Sequence, residues 1–526
     1  MSERPVVWIG RAESYQSAVL AEALSRGFGV VQVPLGRVLA AKCNWVMAHR
    51  GVSRHCYTRP EVVRPAIEQI LSQVPDAELT FIGNSGAGVP TAVMARRAEG
   101  EAPEFRGQGF CALPGMFHGR VRIVPTDEGP LTRYRLSMGP RIPSEERRQA
   151  ATAWTPQHRY WESILTSRAL RDAETLIWFP KLKSNVLSQG LTGACKLGGI
   201  GLLLDEDRMD GHNFHNDRRI ADMMEIARPD LIVTDAVEVA WGGNQMTEPG
   251  KHLGILMMSD NPVAHDVVAC HLFGLDVMRV NHVRMCGERG WGPLRLEDVR
   301  IVTEVPLDEL RRRVAGFGSS GFLPVDQFGA YFKDQTGYDL PLEIVSGPPY
   351  EHAGSHGVLL DWLYMSYDFA ERRAGMARWP AASLLVGEFE GSWQHSKVYC
   401  IGRRASERFT SAVQVVQEYR VPGWISRLLR GPSHVQRYRT AEGKVGWAVH
   451  MSGDPPTHRD FILGFFLGSL GAMVPALFRA DLIFDSYVLM LGTKVRRLLN
   501  NPGPPPEVDA ESIARMKKFR PTSQPV

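Results

Sequence analysis

The chain has 526 residues and a formal net charge of only +4, from 61 basic against 57 acidic residues. With 44% hydrophobic and 22% charged residues it has the composition of a folded globular protein, long enough for more than one domain. The near-balance of charge argues against a dedicated nucleic-acid binder, which would concentrate basic residues on one face. None of the seven cysteines falls in a CxxC pair, so zinc and iron–sulfur spacings are missing. The N-terminus MSERPVVWIG has no basic stretch leading into a long apolar run, and reduced thiols in a cytoplasmic setting are expected.

In chain order, Val6 to Ile9, Val30 to Val33 and Val38 to Ala41 read as short strands, with a helical pattern over Ser14 to Ser25. Pro60 to Gln73 has helical spacing and leads into a buried strand, Leu79 to Ile82, that opens into GNSGAG. A strand, a glycine-rich turn and a helix suit ligand binding at a strand's carboxyl edge, although the glycines match neither the dinucleotide fingerprint nor the P-loop. Residues 105–144 read as an insertion of irregular strands and loops, and a charged helix is expected over Ser144 to Leu170. Apolar strands resume at Thr175 to Phe179, Leu231 to Thr234, Gly254 to Met258 and Val299 to Val302, with helices at Arg219 to Ala227 and Pro262 to Phe273. This alternation predicts a layered α/β core over 1–320 built on a mostly parallel sheet.

Past residue 320 the pattern changes to an additional C-terminal α+β region, 321–500, with a small sheet at Leu384 to Glu390 and Lys397 to Ile401. The apolar run 461–478, FILGFFLGSLGAMVPALF, is close to the minimum length of a bilayer span. Its glycines, Pro475 and charged flanks suit either a buried helix or a segment dipping into a membrane surface. Trp424, Arg427 and Arg430 would suit an interfacial helix beside it. The stretch 421–478 is therefore a candidate peripheral contact with the inner face of a membrane. The proline-rich tail 501–526 is expected to be disordered.

Chemistry concentrates in four places. After the strand at Leu176, Lys181, Lys183 and Asn185 are followed by Lys196, Gly198 and Gly199. Clustered lysines and an amide, with glycines that admit close backbone approach, suggest an anion pocket. Residues 205–219, DEDRMDGHNFHNDRR, hold Asp210, His212 and His215 among other acids, the ligand types of divalent metals. A solvated acidic loop ahead of a helix is the bland alternative. Asp235 ends the strand LIVTD and Asp260 ends GILMMSD. Asp260 stands where a helix N-cap would stand, whereas Asp266 falls inside the helix and is the better functional candidate. Lys42 and Asn44, in LAAKCNW, would line the same edge as Lys181.

AKCNW, FPKLKSN, LTGACKLGG, IVTD and MSDNPVAHD, in that order, resemble the family catalogued as domain of unknown function 362, over roughly residues 38–305. Asn185 stands where relatives commonly carry a histidine, and the ferredoxin-like cysteine runs of many relatives are missing. The resemblance thus implies no bound iron–sulfur cluster and no particular reaction.

These readings lead to an enzyme that binds an anionic, phosphate- or carboxylate-bearing small molecule. Lys181, Lys183, Lys196, Asp235 and Asp266 are the expected catalytic residues, and Lys42, Asn44, Asn185, Gly198 and Gly199 the expected substrate contacts. A divalent metal would sit among Asp210, His212, His215, Asp235 and Asp266. The alternatives are a redox accessory protein working with a flavin or an external iron–sulfur carrier, and a membrane-surface scaffold.

Overall fold

The structure is a computed structural model. It describes residues 4–513 and 515 apart from 47, 52, 87–88, 148, 150, 213, 244–247, 348–352, 370–372, 421–432, 454, 457–459, 462–463 and 465–488. The chain is an α/β protein in two units. One is built from residues 1–211, 215–320 and 484–526, the other from 212–214 and 321–483.

The first unit carries strands β1 (Val6–Arg11), β2 (Val38–Cys43), β3 (Glu78–Phe81), β4 (Val121–Ile123), β5 (Leu131–Arg135), β6 (Ser163–Ser167), β7 (Thr175–Phe179), β8 (Lys181–Lys183), β9 (Leu231–Ala240), β10 (Gly250–Ser259) and β11 (Arg300–Thr303). Its main sheet runs β11-β1-β10-β9-β7-β2-β3-β4, with β8 also paired to β9. Only β10 runs against its neighbours β1 and β9; the remaining pairings are parallel. β7 is buried at every position, as expected for a strand covered by helices on both faces. One face packs Leu39, Ala41, Phe81, Ile177, Phe179 and Val233 against the helices Ser17–Val30 and Pro60–Gln73. The other face packs against the helices Ala194–Ile200, Asn216–Ala227 and Pro262–Phe273.

The local chemistry explains the helix ends. Pro60 opens its helix at the first turn, where no amide partner is lost, with Glu61 beside it. Asn261, not Asp260, caps Pro262–Phe273, accepting from the Val263 and Ala264 amides, and left-handed Gly274 ends it. Asp260 instead accepts the Val6 amide at 2.9 Å and ties β1 to the end of β10.

Three expectations are corrected. Val30 closes the helix Ser17–Val30 and the chain continues without a strand, Pro34 lacking the amide a ladder needs. Ser144 to Leu170 is not a helix. It forms short 3₁₀ turns at Ser144–Glu146 and Ala151–Ala153, passes Pro156, and then enters β6, where Ile164 and Thr166 pair with β5. The tail is ordered as far as it is described. Strand β18 (Glu507–Asp509) adds to β5 in parallel. Arg515 is buried and donates to the Ile226 and Arg228 carbonyls.

The second unit holds β12 (Leu342–Val345), β13 (Ala382–Val386), β14 (Lys397–Ile401), β15 (Gln414–Arg420), β16 (Ser433–Arg439) and β17 (Val445–Met451) in the order β12-β13-β14-β17-β16-β15. Its first three pairings are parallel and its last two antiparallel. The stretch 421–432 and nearly all of the run 461–478 lie outside the described residues, and so does the expectation of a membrane contact there. Among the described residues no helix is long and apolar enough to cross a membrane.

Candidate functional site

Chain pairing sets where the lysines go. Cys43 at the end of β2 lies opposite Phe179 at the end of β7, and Lys181 continues past that end to pair with Asp235 of β9. Successive strand residues face opposite ways. Lys42 and Lys181 therefore come to the same carboxyl edge of the sheet but on opposite faces.

On the face of Phe179, Lys181 Nζ lies 3.0 Å from Asp235 Oδ2, and both side chains are fully buried. Tyr15 bridges them: Lys181 donates to its hydroxyl at 3.0 Å, and that hydroxyl donates to Asp235 Oδ1 at 2.9 Å. The Arg59 amide donates to Asp235 Oδ2 at 3.1 Å, and the Arg59 guanidinium lies 4.8 Å from the Tyr15 ring centroid. Burial lowers the Lys181 pKa although Asp235 works to raise it. Burial, reinforced by Asp235, raises that of Tyr15 well above its ordinary value. Tyr15 is half-buried as a residue, with its hydroxyl held between the two members of the enclosed pair. Beside it, Glu238 accepts from His55 at 3.0 Å, a contact that holds its carboxyl down at about 2. Such a set can pass a proton between a phenol and an enclosed amine.

Lys183 lies 3.7 Å from Glu248, which also accepts from Ser184 at 2.8 Å and is touched by the Cys56 thiol. Two of the lysines expected to attract an anion are thus already neutralised by buried carboxylates.

Asp266 is on the other face. Its carboxylate accepts from the Ala194 amide at 2.7 Å and the Cys195 amide at 3.0 Å, and so caps the helix Ala194–Ile200 from a neighbouring helix. His265 Nδ1 lies 2.7 Å from it, and the other His265 ring nitrogen meets Thr234 at 2.8 Å. A Cβ on Gly193 would fall 2.1 Å from Asp266 Oδ1, which is why glycine precedes this helix. Lys196, one turn further, acts electrostatically on Asp217 and His282. Burial raises the Asp217 carboxyl to about 6 and lowers His282 to about 4.

Gly198 and Gly199 are explained by packing. A Cβ on Gly198 would stand 2.7 Å from Trp178 Nε1, and one on Gly199 2.8 Å from the Ile220 Cα. Asn44 and Asn185 each turn their side-chain oxygen to an amide two residues on, Val46 and Leu187, and shape the local turn.

The expected metal set does not assemble. Asp235 and Thr234 are consecutive on β9, and Thr234 shares its face with His265 and Asp266, so Asp235 and Asp266 lie on opposite sides of the sheet. Asp235 is furthermore saturated by Lys181, Tyr15 and the Arg59 amide. Asp210 accepts from Tyr160 at 2.9 Å. His215 stacks near the same ring, its pKa lowered to about 4 by burial and by Arg218. His212 falls in the second unit. Among the described residues no group of three or more His, Cys, Asp or Glu side chains is placed to hold a metal ion.

Lys42 has different company. The residue is 3% exposed, and among the described residues its ammonium donates only to the neighbouring Cys43 carbonyl, at 3.1 Å. Beside it Arg208 donates to the Asn84 carbonyl at 2.8 Å and the Ile200 carbonyl at 3.1 Å, while its Nε has no partner among the described residues. Burial lowers the Arg208 pKa, while Asp205 and then Asp127 work to raise it. The Asn84 side-chain amide nitrogen, in the glycine-rich turn after β3, is buried and has no partner among the described residues. Burial, followed by the Arg208 charge, lowers the Lys42 pKa to about 7. Two enclosed cations and an unused amide donor thus converge at the strand ends of β2 and β3.

Sequence reasoning found Lys42, Lys181 and Asp235 but missed Tyr15, Arg59, Glu248, Asn84 and Arg208. Arg208 lay inside the stretch 205–219, where the acids and histidines drew attention away from it. Tyr15 and Arg59 stand in no motif; only the fold brings them to Asp235.

No curated protein matches the chain. A crystal structure of a Thermotoga maritima protein is similar at 12% identity and a TM-score of 0.29, over 46% of this chain and 54% of that one. The lactate racemase apoprotein of Thermoanaerobacterium thermosaccharolyticum is similar at 9% identity and a TM-score of 0.29, over 52% of this chain and 57% of that one. The chain thus spans only about half the length of these solved structures. Residues 141–271, which hold Lys181, Asp235 and Asp266, match the model of the family described as domain of unknown function (DUF362).

Proposed function

We propose that the first unit is an enzyme acting on a small molecule that bears a phosphate or carboxylate group, and that Lys42, Arg208 and Asn84 receive this group. The observation that carries the reading is the enclosed Lys42 ammonium, which meets no carboxylate among the described residues, beside the Arg208 guanidinium and the Asn84 amide. Burying a charge without a counter-charge is costly, and a ligand anion would offset that cost. The Tyr15–Lys181–Asp235 set lies at the same carboxyl edge, where open α/β sheets place ligands. It supplies the proton-handling groups for a substrate lying across the strand ends. A metal held jointly by Asp235 and Asp266 does not fit their placement on opposite faces and has no part in this reading.

Calorimetric titration with inorganic phosphate and with malonate tests it. The intact protein should bind at least one of the two, and Lys42→Met should weaken binding by tenfold or more, on the order of one lost charged hydrogen bond. Arg208→Lys provides an independent variant. Unchanged affinity in a folded Lys42→Met protein, or no binding of either anion by the intact chain, would overturn the proposal.

A further inference from the structure

In the second unit a row of side chains crosses four strands on one face of the sheet. Lys397 of β14 lies opposite Trp447 of β17, Trp447 opposite Arg437 of β16, and Arg437 opposite Gln417 of β15. Cross-strand partners share a face, so an ammonium, an indole, a guanidinium and an amide stand side by side. Tyr419 of β15 reaches across β16 to stack on Trp447, with ring centroids 6.1 Å apart and planes 29° from parallel. The tyrosine is 49% exposed and the tryptophan 44%. Arg439, two positions along β16 from Arg437, adds a third cation to the same face.

The charges around the aromatic pair are uncompensated. Arg437 and Arg439 are exposed and Lys397 is half-buried, and among the described residues none of the three forms an ion pair. Glu418 of β15 points to the opposite face, where it meets Arg420. Glu442, in the turn before β17, is engaged by the Thr440 side chain.

A cross-strand aromatic pair stabilises a hairpin wherever it occurs. Three cations around it do not, because they repel one another and gain only from an anion. The occupant that suits this face offers planar rings together with negative charge. Single-stranded nucleic acid has both, since its bases are free to stack on aromatic side chains and each nucleotide brings a phosphate. A duplex keeps its ring faces stacked inside, and an anionic lipid surface has no rings. The small net charge of the chain is an average over 526 residues and does not describe this face.

We infer that the face formed by Lys397, Arg437, Arg439, Tyr419 and Trp447 binds single-stranded nucleic acid, with bases stacked on the aromatic pair and phosphates on the cations. The inference concerns the second unit alone and is independent of the anion site at Lys42.

Fluorescence anisotropy of a short labelled oligouridylate, titrated with the intact chain, tests it. The oligonucleotide should bind, and a duplex of the same length should bind roughly tenfold more weakly or worse. The double variant Trp447→Leu with Tyr419→Leu should lose roughly tenfold or more in affinity, the share of one or two stacked bases, and keep the salt dependence of the parent. Arg437→Gln, which leaves the aromatic pair in place, should lower the slope of log affinity against log salt by about 0.7, the share of one phosphate on a single strand. Because these side chains are on the surface, the melting temperatures should stay close to that of the parent. An intact chain that ignores the oligonucleotide, equal binding of the duplex, or parent affinity in the folded aromatic variant would each overturn the inference. So would a salt slope untouched by Arg437→Gln.

Discussion

Lys181 Nζ stands 3.0 Å from Asp235 Oδ2 inside the sheet edge, and the Tyr15 hydroxyl closes the pair on its solvent side. Removing one partner leaves the other charge enclosed, which costs about 3–5 kcal/mol in a buried pair. Lys181→Met and Asp235→Leu should each lower the urea midpoint by a corresponding amount. The double variant Lys181→Met with Asp235→Leu should recover part of the loss, since it removes both charges. Losses that simply add in a double-mutant cycle would show that the two groups do not depend on each other. Phosphate affinity should be little changed in a folded Lys181→Met protein, which separates this pair from the anion site.

Asp266 has a structural duty that Asn can fill only in part. Burial works to raise its carboxyl pKa, but the His265 hydrogen bond, the His265 and His282 charges and the Cys195 amide outweigh it, and the pKa is lowered. A lowered carboxyl contributes stability that is present above its unfolded value and is lost as the pH falls through the folded value. Asp266→Asn should cost about 1–3 kcal/mol at neutral pH, the range for weakening a charged acceptor on two buried amides. The gap between parent and variant should narrow once the pH drops below about 4, where the unfolded carboxylate also protonates. Chemical denaturation at a series of pH values checks this, and a gap that widened in acid would contradict the capping role.

How much of this was legible in the sequence follows from what each feature depends on. β7, β9 and the helix Pro262–Phe273 were readable because their apolar runs, prolines and caps lie within a dozen residues. The region after residue 144 was misread because its charge pattern suits a helix, whereas the pairing of β6 with β5 across thirty residues decides its structure. Lys42, Lys181, Asp235 and Asp266 stand out in the sequence as candidates for chemistry, and the structure buries all four. Which face each takes was not legible, because one residue of strand parity separates Thr234 from Asp235, and parity depends on the register of the sheet. The rule that a mid-helix aspartate cannot cap held for its own helix and failed for Asp266, which caps a different one. Tyr15 and Arg59 meet Asp235 over separations of 220 and 176 residues, and no local pattern encodes such a contact.

The glycines of LGG offer a test that separates packing from ligand contact. A methyl group on Gly199 would meet the Ile220 backbone, and one on Gly198 the Trp178 indole nitrogen. Overpacking of this kind costs roughly 1–3 kcal/mol. Gly199→Ala, pressed against backbone, should lose more stability than Gly198→Ala, pressed against a side chain. Neither should alter phosphate affinity once the fraction of folded protein is allowed for. A variant of full stability that no longer bound phosphate would return these glycines to the ligand site.

Lys42 gives the anion site a pH signature. Its folded pKa is about 7 against an ordinary 10.5. Between those values the unfolded chain holds a proton that the folded chain lacks, so this residue makes stability rise with pH across that window. Below pH 7 both states are protonated and the penalty for enclosing the ammonium is complete. Lys42→Met should therefore be more stable than the parent at pH 6, with an advantage that shrinks as the pH approaches 10. Anion binding has the opposite dependence, because a bound anion restores the proton to Lys42. Affinity for sulfate, whose own charge does not change in this range, should fall above pH 7 by up to about tenfold per unit. Lys42→Met should bind weakly at every pH and lose the slope. Arg208→Lys should weaken binding on both sides of pH 7, since the planar fork of donors is lost at every pH. A sulfate affinity that is flat from pH 6 to 9 in the intact protein would remove Lys42 from the site even if the variant bound less tightly.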